Sequence, residues 1–168
     1  MAQTFLGTIF PGLDKGKPGY SKYTHGVHSD DILPGVIQVA EVSVTAAQML
    51  AARATPITLV AAPGAGYALE YLGADFIYDY TAAFTESADN AAVRYTDGSG
   101  TVVSLTLETT GLLDATADKI STIKPLATDV LVTANAALVF HNTGDGEWGG
   151  TGSPCRFKVA YRIVTTGL

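Results

Sequence analysis

The chain has 168 residues, 47% of them apolar and only 15% charged, and its formal net charge is −6 at pH 7. This length suits one domain with a single hydrophobic core, and the acidic balance argues against a protein that binds nucleic acid. Cys155 is the single cysteine, which excludes an intrachain disulfide. We also expect a soluble, unsecreted protein without a membrane partner, because no apolar run approaches the roughly 18 residues that span a bilayer and the first residues lack a signal-peptide pattern.

Residues 1–35 differ in composition from the remainder, residues 36–168. They contain three of the seven prolines and six of the 18 glycines, and they show no sustained helical or strand periodicity. Their apolar side chains are nevertheless too numerous for an idle tail. We predict an extended arm that orders on its own body or on a neighbouring subunit, and a flexible tail is the alternative. The residues expected at that interface are Phe5, Ile9, Phe10, Leu13, Tyr20 and Tyr23.

The body begins with residues 36–44, whose alternation of apolar and polar side chains predicts a β-strand. The alternation slips in phase near Ala40, which we interpret as a bulge. Thr45 is the predicted N-cap of a short helix over residues 46–52, a run of strong helix formers. The helix is expected to end before Pro56, because a residue that precedes proline is disfavoured in helical conformation.

Two further strands are predicted on either side of a tight turn at residues 63–66, whose sequence is Pro-Gly-Ala-Gly. Residues 57–60 are β-branched or aliphatic, and residues 67–80 are rich in aromatic side chains, both of which favour strands. The side chains expected to share one face of the second strand, at the period of two of a pleated strand, are Phe76, Tyr78 and Tyr80.

Asp97-Gly98 lies between two strand-like runs and predicts a β-hairpin, because the turn requires residues that tolerate positive φ. A short strand over residues 119–124 and a regularly alternating strand over residues 155–164 follow. Turn signals recur about every 8 to 12 residues along the body. They predict an all-β fold, an antiparallel β-sandwich of jelly-roll type with about eight strands and one short helix.

Two places in the sequence offer possible ligands for a metal ion. His25 and His28 precede two aspartates, but they lack the third histidine or the cysteines of a transition-metal site. Asp145 and Glu147 lie in a glycine-rich loop that lacks the alternating carboxylates of an EF-hand. We therefore expect no bound metal and no cofactor.

The same loop region contains residues of the types that form a hydrolytic site. His141 is followed by Ser153 and Cys155, yet no Gly-x-Ser-x-Gly elbow or cysteine–histidine signature accompanies them. We therefore expect no enzymatic activity. Trp148, which we expect to be exposed on this loop, is a candidate contact to a partner protein, a subunit or a glycan. Capping of the end of the sandwich is the alternative role for this tryptophan.

Four segments of the body have a familiar order, namely VTAAQML at 44–50, ATPITLVAAPGAG at 54–66, RYTDGSG at 94–100 and VAYRIV at 159–164. With this order, residues 42–164 resemble small structural proteins of tailed bacteriophages, above all capsid decoration (cement) proteins with a β-sandwich body. The resemblance rests on the spacing of turns and strands, and the predicted arm lies outside it. On a capsid, we expect the six apolar residues of the arm to anchor the protein to the capsid lattice or to adjacent subunits.

The resemblance implies a virion protein that assembles as a homotrimer on the outer surface of the capsid, with the major capsid protein as its partner and without enzymatic activity. Such a protein is made in the cytoplasm of the host bacterium and becomes part of the virion. A phage tail or fibre subunit is one alternative. A carbohydrate-binding β-sandwich module is another, and it would need an exposed aromatic platform such as Trp148 with a tyrosine.

Overall fold

The structure is a computed structural model in which residues 34–85 and 90–166 are described. The six interface residues of the predicted arm lie outside these ranges, as do His25 and His28, so those expectations stay predictions. At the start of the described chain, Pro34 forms a bridge with Ile163, and the Gly35 amide donates a hydrogen bond of 2.8 Å to the Ile163 carbonyl.

The described residues form ten β-strands and one α-helix. β-Branched and aromatic side chains are frequent in the long strands, as expected for residues that pack well on a pleated surface. In chain order the elements are β1 (Ile37–Val44), α1 (Ala46–Leu50), β2 (Ile57–Val60), β3 (Tyr67–Tyr78), β4 (Phe84–Thr85), β5 (Asn90–Tyr95), β6 (Leu107–Glu108), β7 (Lys119–Ile123), β8 (Leu138–Asn142), β9 (Gly149–Gly150) and β10 (Cys155–Thr165).

The strands of the described chain pair antiparallel in two four-stranded sheets and one two-stranded ribbon of β4 and β9. The first sheet has the order β1-β10-β3-β7, and the second sheet has the order β2-β8-β5-β6. Without the ribbon, the remaining eight strands pair first with last, second with seventh, third with sixth and fourth with fifth. This is the winding of a jelly roll, so the predicted all-β antiparallel sandwich of jelly-roll type is confirmed.

The core lies between the two sheets and is centred on three aromatic side chains that are fully buried. The ring of Phe140 in β8 lies 4.8 Å from that of Phe157 in β10 and 6.2 Å from that of Phe76 in β3, between centroids. Phe76 and Phe157 meet edge to face at 5.0 Å. Because Phe140 belongs to the second sheet and the other two belong to the first, these contacts hold the two layers together.

The helix α1 begins at the predicted cap. The Thr45 hydroxyl accepts a hydrogen bond of 3.2 Å from the Gln48 amide, and the Gln48 side chain accepts one of 2.9 Å from the Thr45 amide, which forms a capping box. Met49 is fully buried and packs the helix against the core. The helix ends at Leu50, two residues before the predicted end. No helix in the described ranges is long and apolar enough to cross a membrane.

The hairpin predicted at Asp97-Gly98 is confirmed, because β5 and β6 pair on either side of this turn. The Asp97 carboxylate accepts hydrogen bonds from the amides of Ser99, at 2.8 Å, and Gly100, at 3.1 Å. These bonds close the turn on itself. A Cβ atom on Gly100 would overlap the carbonyl group of Tyr95, so this position accepts only glycine.

The bulge predicted in β1 at Ala40 is absent, because β1 and β10 pair in an unbroken register. The register shift lies on the other side of β10, where residues 160 and 161 pair with Gly73 and Tyr71 and leave Leu72 unpaired. Gly73 has a φ of +145°, which residues with a side chain rarely adopt. The bulge is therefore located where a glycine permits it.

Two expectations for the segment around the Pro-Gly turn also differ from the structure. β2 and β3 belong to different sheets, so the turn at residues 63–66 carries the chain across the sandwich instead of closing a hairpin. Phe76 and Tyr78 share a buried face as predicted, but Tyr80 lies beyond the end of β3 and is 37% exposed. The pairing of strands is decided by distant residues, which a local pattern does not report.

We expect Phe140→Ala to lower the free energy of unfolding by about 3 to 5 kcal/mol, because it opens a cavity where the two sheets meet. Leu131→Ala is the control, since Leu131 is 78% exposed, and it should change this free energy by less than about 0.5 kcal/mol. Equilibrium urea denaturation of both variants measures the difference. Equal losses in the two variants would contradict the assigned core.

Candidate functional site

Trp148 is buried, so the expectation of an exposed tryptophan on the loop is wrong. Its side chain is 2% exposed, and its ring lies 6.3 Å from the ring of Phe140. The loop folds back because β9, which follows Trp148 directly, pairs with β4. Trp148 therefore packs into the aromatic core, which leaves no exposed platform there for a glycan or a partner protein.

The residues of the possible hydrolytic site have structural roles. The Ser153 hydroxyl accepts hydrogen bonds from the amides of Thr81, at 2.8 Å, and Ala82, at 2.9 Å, and donates one of 2.6 Å to the Ala82 carbonyl. Burial lowers the pKa of His141, and nearby Arg94 lowers it further. In the described chain no hydrogen bond joins Ser153 to His141, and the serine hydroxyl is fully used in fixing the turn at residues 81–82.

Cys155 is an inert packing residue. Its side chain is 1% exposed, and its thiol donates a hydrogen bond of 3.5 Å to the Ser153 carbonyl. Burial, with a smaller contribution from Asp79, raises the pKa of the Cys155 thiol to about 12. Because the thiolate is the reactive form of a cysteine, this environment suppresses nucleophilic chemistry.

The carboxylates of the glycine-rich loop are not gathered at one point. Glu147 accepts hydrogen bonds from the amides of Arg53, at 3.2 Å, and Ala54, at 2.8 Å, and so ties the loop to the segment before β2. Asp145 is exposed. No group of three or more histidine, cysteine or acidic side chains that could hold a metal occurs among the described residues.

The outer face of the first sheet, which points away from the core, carries charged side chains that neutralise one another. Arg162 of β10 binds Glu70 of β3 through two hydrogen bonds of 2.8 Å each. Arg156 binds Asp79 in the same two-pronged way, at 2.8 and 3.0 Å. The hydrogen bonds from the Arg156 guanidinium hold the pKa of Asp79 below its usual value. Such bidentate pairs fix both partners in position.

Two rows of the same face lie between these ion pairs, and the row of Glu41, Lys158 and Asp75 is charged whereas the other row is apolar. Directly opposite residues of antiparallel strands share a face, and the register places Val39 in one row with Ala160 and Gly73, two small residues. Ile37 and Val39 are 62% and 68% exposed, and Ile120 on the opposite edge strand is 72% exposed. Large aliphatic side chains exposed on one regular face are typical of a surface that a partner protein covers.

The alternation in the sequence does not by itself mark Ile37 and Val39 as surface residues. Val44 of the same strand is buried, and Val42 packs against the core from its edge. Because β1 has no bulge, the slip near Ala40 is the point at which the apolar residues change faces. A phase slip within an unbroken strand is thus the sequence signal for a strand with apolar side chains on both faces.

One lateral side of the sandwich is closed by backbone pairing and the other is open. On the closed side residues 103–105 pair with residues 124–126, through hydrogen bonds of 2.8 Å from Leu105 to Lys124 and 3.1 Å from Leu126 to Val103. On the open side β1 and β2 are the outermost strands of their sheets. Within the described residues, β1 pairs only with β10 and β2 only with β8, so each has a free edge.

A groove of about 490 Å3, called the slot below, lies on this open side between β1, α1 and β2. Nine described residues line it, and none of them is charged. Four are serine, threonine or glutamine, and the apolar ones are Val42, Ala47, Ala51, Pro56 and Ile57. The slot therefore favours an uncharged segment with apolar side chains.

A second groove of about 510 Å3 lies beside β3 and the segment that follows β7. Its lining includes two carboxylates, Glu70 and Asp129, and Val132, which is 45% exposed. Glu70 is already bound to Arg162. This groove is therefore acidic at one side, whereas the slot has no charged lining residue.

No family model matches the chain, and no curated protein matches it. A structural similarity is found to a solved structure described as "Cyanophage Pam1 capsid asymmetric unit". The two chains align over 91% of this chain and 99% of that chain, with 12% sequence identity and a TM-score of 0.42. The solved chain is thus part of a phage capsid asymmetric unit.

Two glycines test how tightly the loop around Trp148 is packed. Gly152 and Gly66 both have positive φ, of +66° and +79°, but a Cβ atom on Gly152 would overlap the buried Phe84 ring, whereas one on Gly66 meets nothing. We expect Gly66→Ala to cost about 1 kcal/mol of backbone strain and Gly152→Ala about 2 to 4 kcal/mol. Urea denaturation measures both, and equal costs would mean that the loop does not pack on Phe84.

We expect Cys155 to resist thiol reagents in the folded protein, because at pH 8 a pKa of about 12 leaves only about one thiolate in ten thousand thiols. Labelling should become rapid once denaturant unfolds the chain. Ala127→Cys, at an exposed position, is the positive control and should label at once. Labelling of native wild-type protein at the rate of this variant would contradict the burial of Cys155.

Proposed function

We propose that the protein is a structural subunit of a tailed bacteriophage, a capsid decoration (cement) protein that binds the outer surface of the head shell and stabilises it. Its partners are the major capsid protein and other copies of itself, as a homotrimer, and it has no enzymatic activity. The observation that carries the proposal is the outer face of the first sheet, with its exposed aliphatic side chains between neutralised charges. The resemblance of residues 42–164 to decoration proteins supports the same assignment.

The outer face is suited to a large protein surface because four of its seven charged side chains are held in two bidentate pairs. A partner that covers the Arg162–Glu70 and Arg156–Asp79 pairs does not leave a single unpaired charge out of water. The apolar row between them supplies burial, at about 25 cal/mol per Å2 of apolar surface. These two pairs therefore do not require a partner of one particular charge.

The size of this face argues that one copy does not attach by it alone. The eight residues of β1 extend about 26 Å, and three strand spacings span about 14 Å, so the face measures roughly 400 Å2. A standard interface takes about 800 Å2 from each partner. We infer that the arm, residues 1–35, and the joint attachment of three copies supply the difference, the latter through avidity.

The alternatives have less support. A carbohydrate-binding module needs an exposed aromatic platform, and Trp148 is buried. An enzyme needs convergent reactive groups, whereas Ser153, Cys155 and Glu147 are each used in packing or in backbone hydrogen bonds. A tail or fibre subunit would use the same kind of surface, and the location of the protein in the particle distinguishes it from a head protein.

We expect mass spectrometry of purified virions to detect the chain, and electron microscopy to locate it on the head.

We also expect Ile120→Asp to lower binding to heads stripped of this protein about tenfold or more, because it places a charge beside the apolar side chains of the outer face. Leu131→Asp, at an equally exposed leucine outside that face, should bind normally. Full occupancy by the Ile120→Asp variant, or absence of the chain from virions, would overturn the proposal.

A further inference from the structure

We propose that the slot receives residues 4–10 of a neighbouring copy of the chain as an added β-strand. The inference rests on the proposed function in one respect, namely that copies of the chain assemble with one another. An edge strand with free backbone N–H and C=O groups is a template for strand addition by another chain. β1 offers such an edge over eight residues, without a proline, a lysine or a bulge to block it.

The open side of the sandwich is the side on which an added strand can be accommodated. The opposite side is bridged by backbone hydrogen bonds between residues 103–105 and 124–126. On the open side, β1 and β2 leave two edges free and α1 forms a third wall. An extended segment in the slot can therefore satisfy backbone groups that no other described residue satisfies.

The charge pattern of the sequence identifies the segment that fits. The slot contains no charged side chain, and a charged group placed there would lose its hydration without gaining a partner. Residues 1–13 contain no charged side chain, and the first one in the chain is Asp14. Within that stretch, residues 4–10 are rich in aromatic, aliphatic and threonine side chains, which favour a strand.

Residues 4–10 also match the two-sided character of β1. In an extended strand, successive side chains alternate between faces, so Phe5 and Ile9 would lie on one face and Leu6 and Phe10 on the other. Most edge strands offer apolar neighbours on only one face, because the other is solvated. A segment with apolar side chains on both faces needs a site that covers both.

β1 provides such a site. On the outer face it presents Ile37 and Val39, which are 62% and 68% exposed. On the inner face Val42 lines the slot, together with Ile57 of β2. A strand added beside β1 would contact both sets through cross-strand pairs, and this would account for the apolar residues on the two faces of one strand.

A neighbouring copy is the donor that assembly requires. The outer face of roughly 400 Å2 is too small to hold copies together, whereas an exchanged strand adds main-chain hydrogen bonds and buried side chains without a large flat contact. The 20 residues from Asp14 to Leu33 reach as far as about 70 Å when extended, which exceeds the dimensions of one sandwich. The segment is therefore long enough to arrive at the slot of another copy.

Cysteine cross-linking of the full-length chain tests the inference directly. Two variants, Thr8→Cys and Thr58→Cys, are given different tags, co-expressed, purified without particles and oxidised. The native Cys155 is buried, with a pKa raised to about 12, so it contributes little background. The control pair is Thr8→Cys with Ala127→Cys, an exposed position outside the slot. We expect about tenfold more disulfide between the two tags in the slot pair than in the control pair, because docking raises the effective concentration.

A second pair of variants tests the chemistry of the slot. Ala47→Glu places a carboxylate in the uncharged slot at an exposed helical position, and we expect it to lower cross-linking about tenfold and to weaken the oligomer in sedimentation. Ala127→Glu is the matched control and should leave both unchanged. If Ala47→Glu has no effect on either measurement, or if the slot pair cross-links no better than the control pair, the inference is wrong.

Two further outcomes would assign the slot to another occupant and so overturn the inference. A chain that carries both Thr8→Cys and Thr58→Cys, mixed with excess wild-type chain, would form an internal disulfide at monomer mass if each arm occupied its own slot. Loss of binding to stripped heads by an Ala47→Glu oligomer that remains intact would indicate a segment of the shell instead. If the slot pair cross-links but the protein does not bind heads, the inference stands and the proposed function is refuted. If the protein binds heads but the slot pair does not cross-link, the proposed function stands and the inference is wrong.

Discussion

The contact of Phe140 with Phe76 and Phe157 is the interaction on which the rest of the structure depends. It joins the second sheet to the first, and each phenylalanine contributes about 1.5 to 3 kcal/mol by burial. Trp148 extends this cluster from the glycine-rich loop. Because the layers are held together from the middle, neither lateral side of the sandwich has to be sealed for the fold to persist. The open side between β1 and β2 can therefore keep two strand edges unpaired among the described residues without loss of the fold.

The parts of the fold that could be predicted from the sequence are those that local chemistry decides. The cap at Thr45, the turn at Asp97-Gly98 and the alternation of β10 each depend on residues within a few positions of one another. The assignment of β2 and β3 to different sheets could not be predicted in this way, because each pairs with a strand far along the chain. A local pattern describes an element and not its neighbours.

The candidate surfaces were harder to predict, for a related physical reason. Trp148 follows a glycine-rich run that suggests an exposed tip, but β4 captures the loop and directs the ring inward. Ile37 and Val39 are apolar in a strand, which suggests a core position, but the register with β10 places them on the outer face. In both cases the exposure of a side chain depends on a partner strand, whereas its residue type is equally compatible with either location.

The ion pairs of the outer face contribute little to the stability of the fold. Exposed pairs such as Arg156–Asp79, whose side chains are each 40% exposed, stabilise a fold by roughly 0 to 1 kcal/mol. Their larger effect is to remove net charge from a surface of an otherwise acidic protein. Among the described residues, this face carries the three cations of β10 and the carboxylates of Glu41, Glu70, Asp75 and Asp79, so positive and negative charges nearly balance on it.

The jelly-roll winding also determines the order in which the chain can be completed during synthesis. β1 and β3 both pair with β10, the last described strand, so the first sheet has no centre until β10 has left the ribosome. Contacts between such distant positions make folding slow, and unpaired strands are prone to aggregation in the interval. A chain without β10 would therefore lose two of the three pairings of the first sheet and leave β1 unpaired, and only β3 and β7 would remain paired with each other.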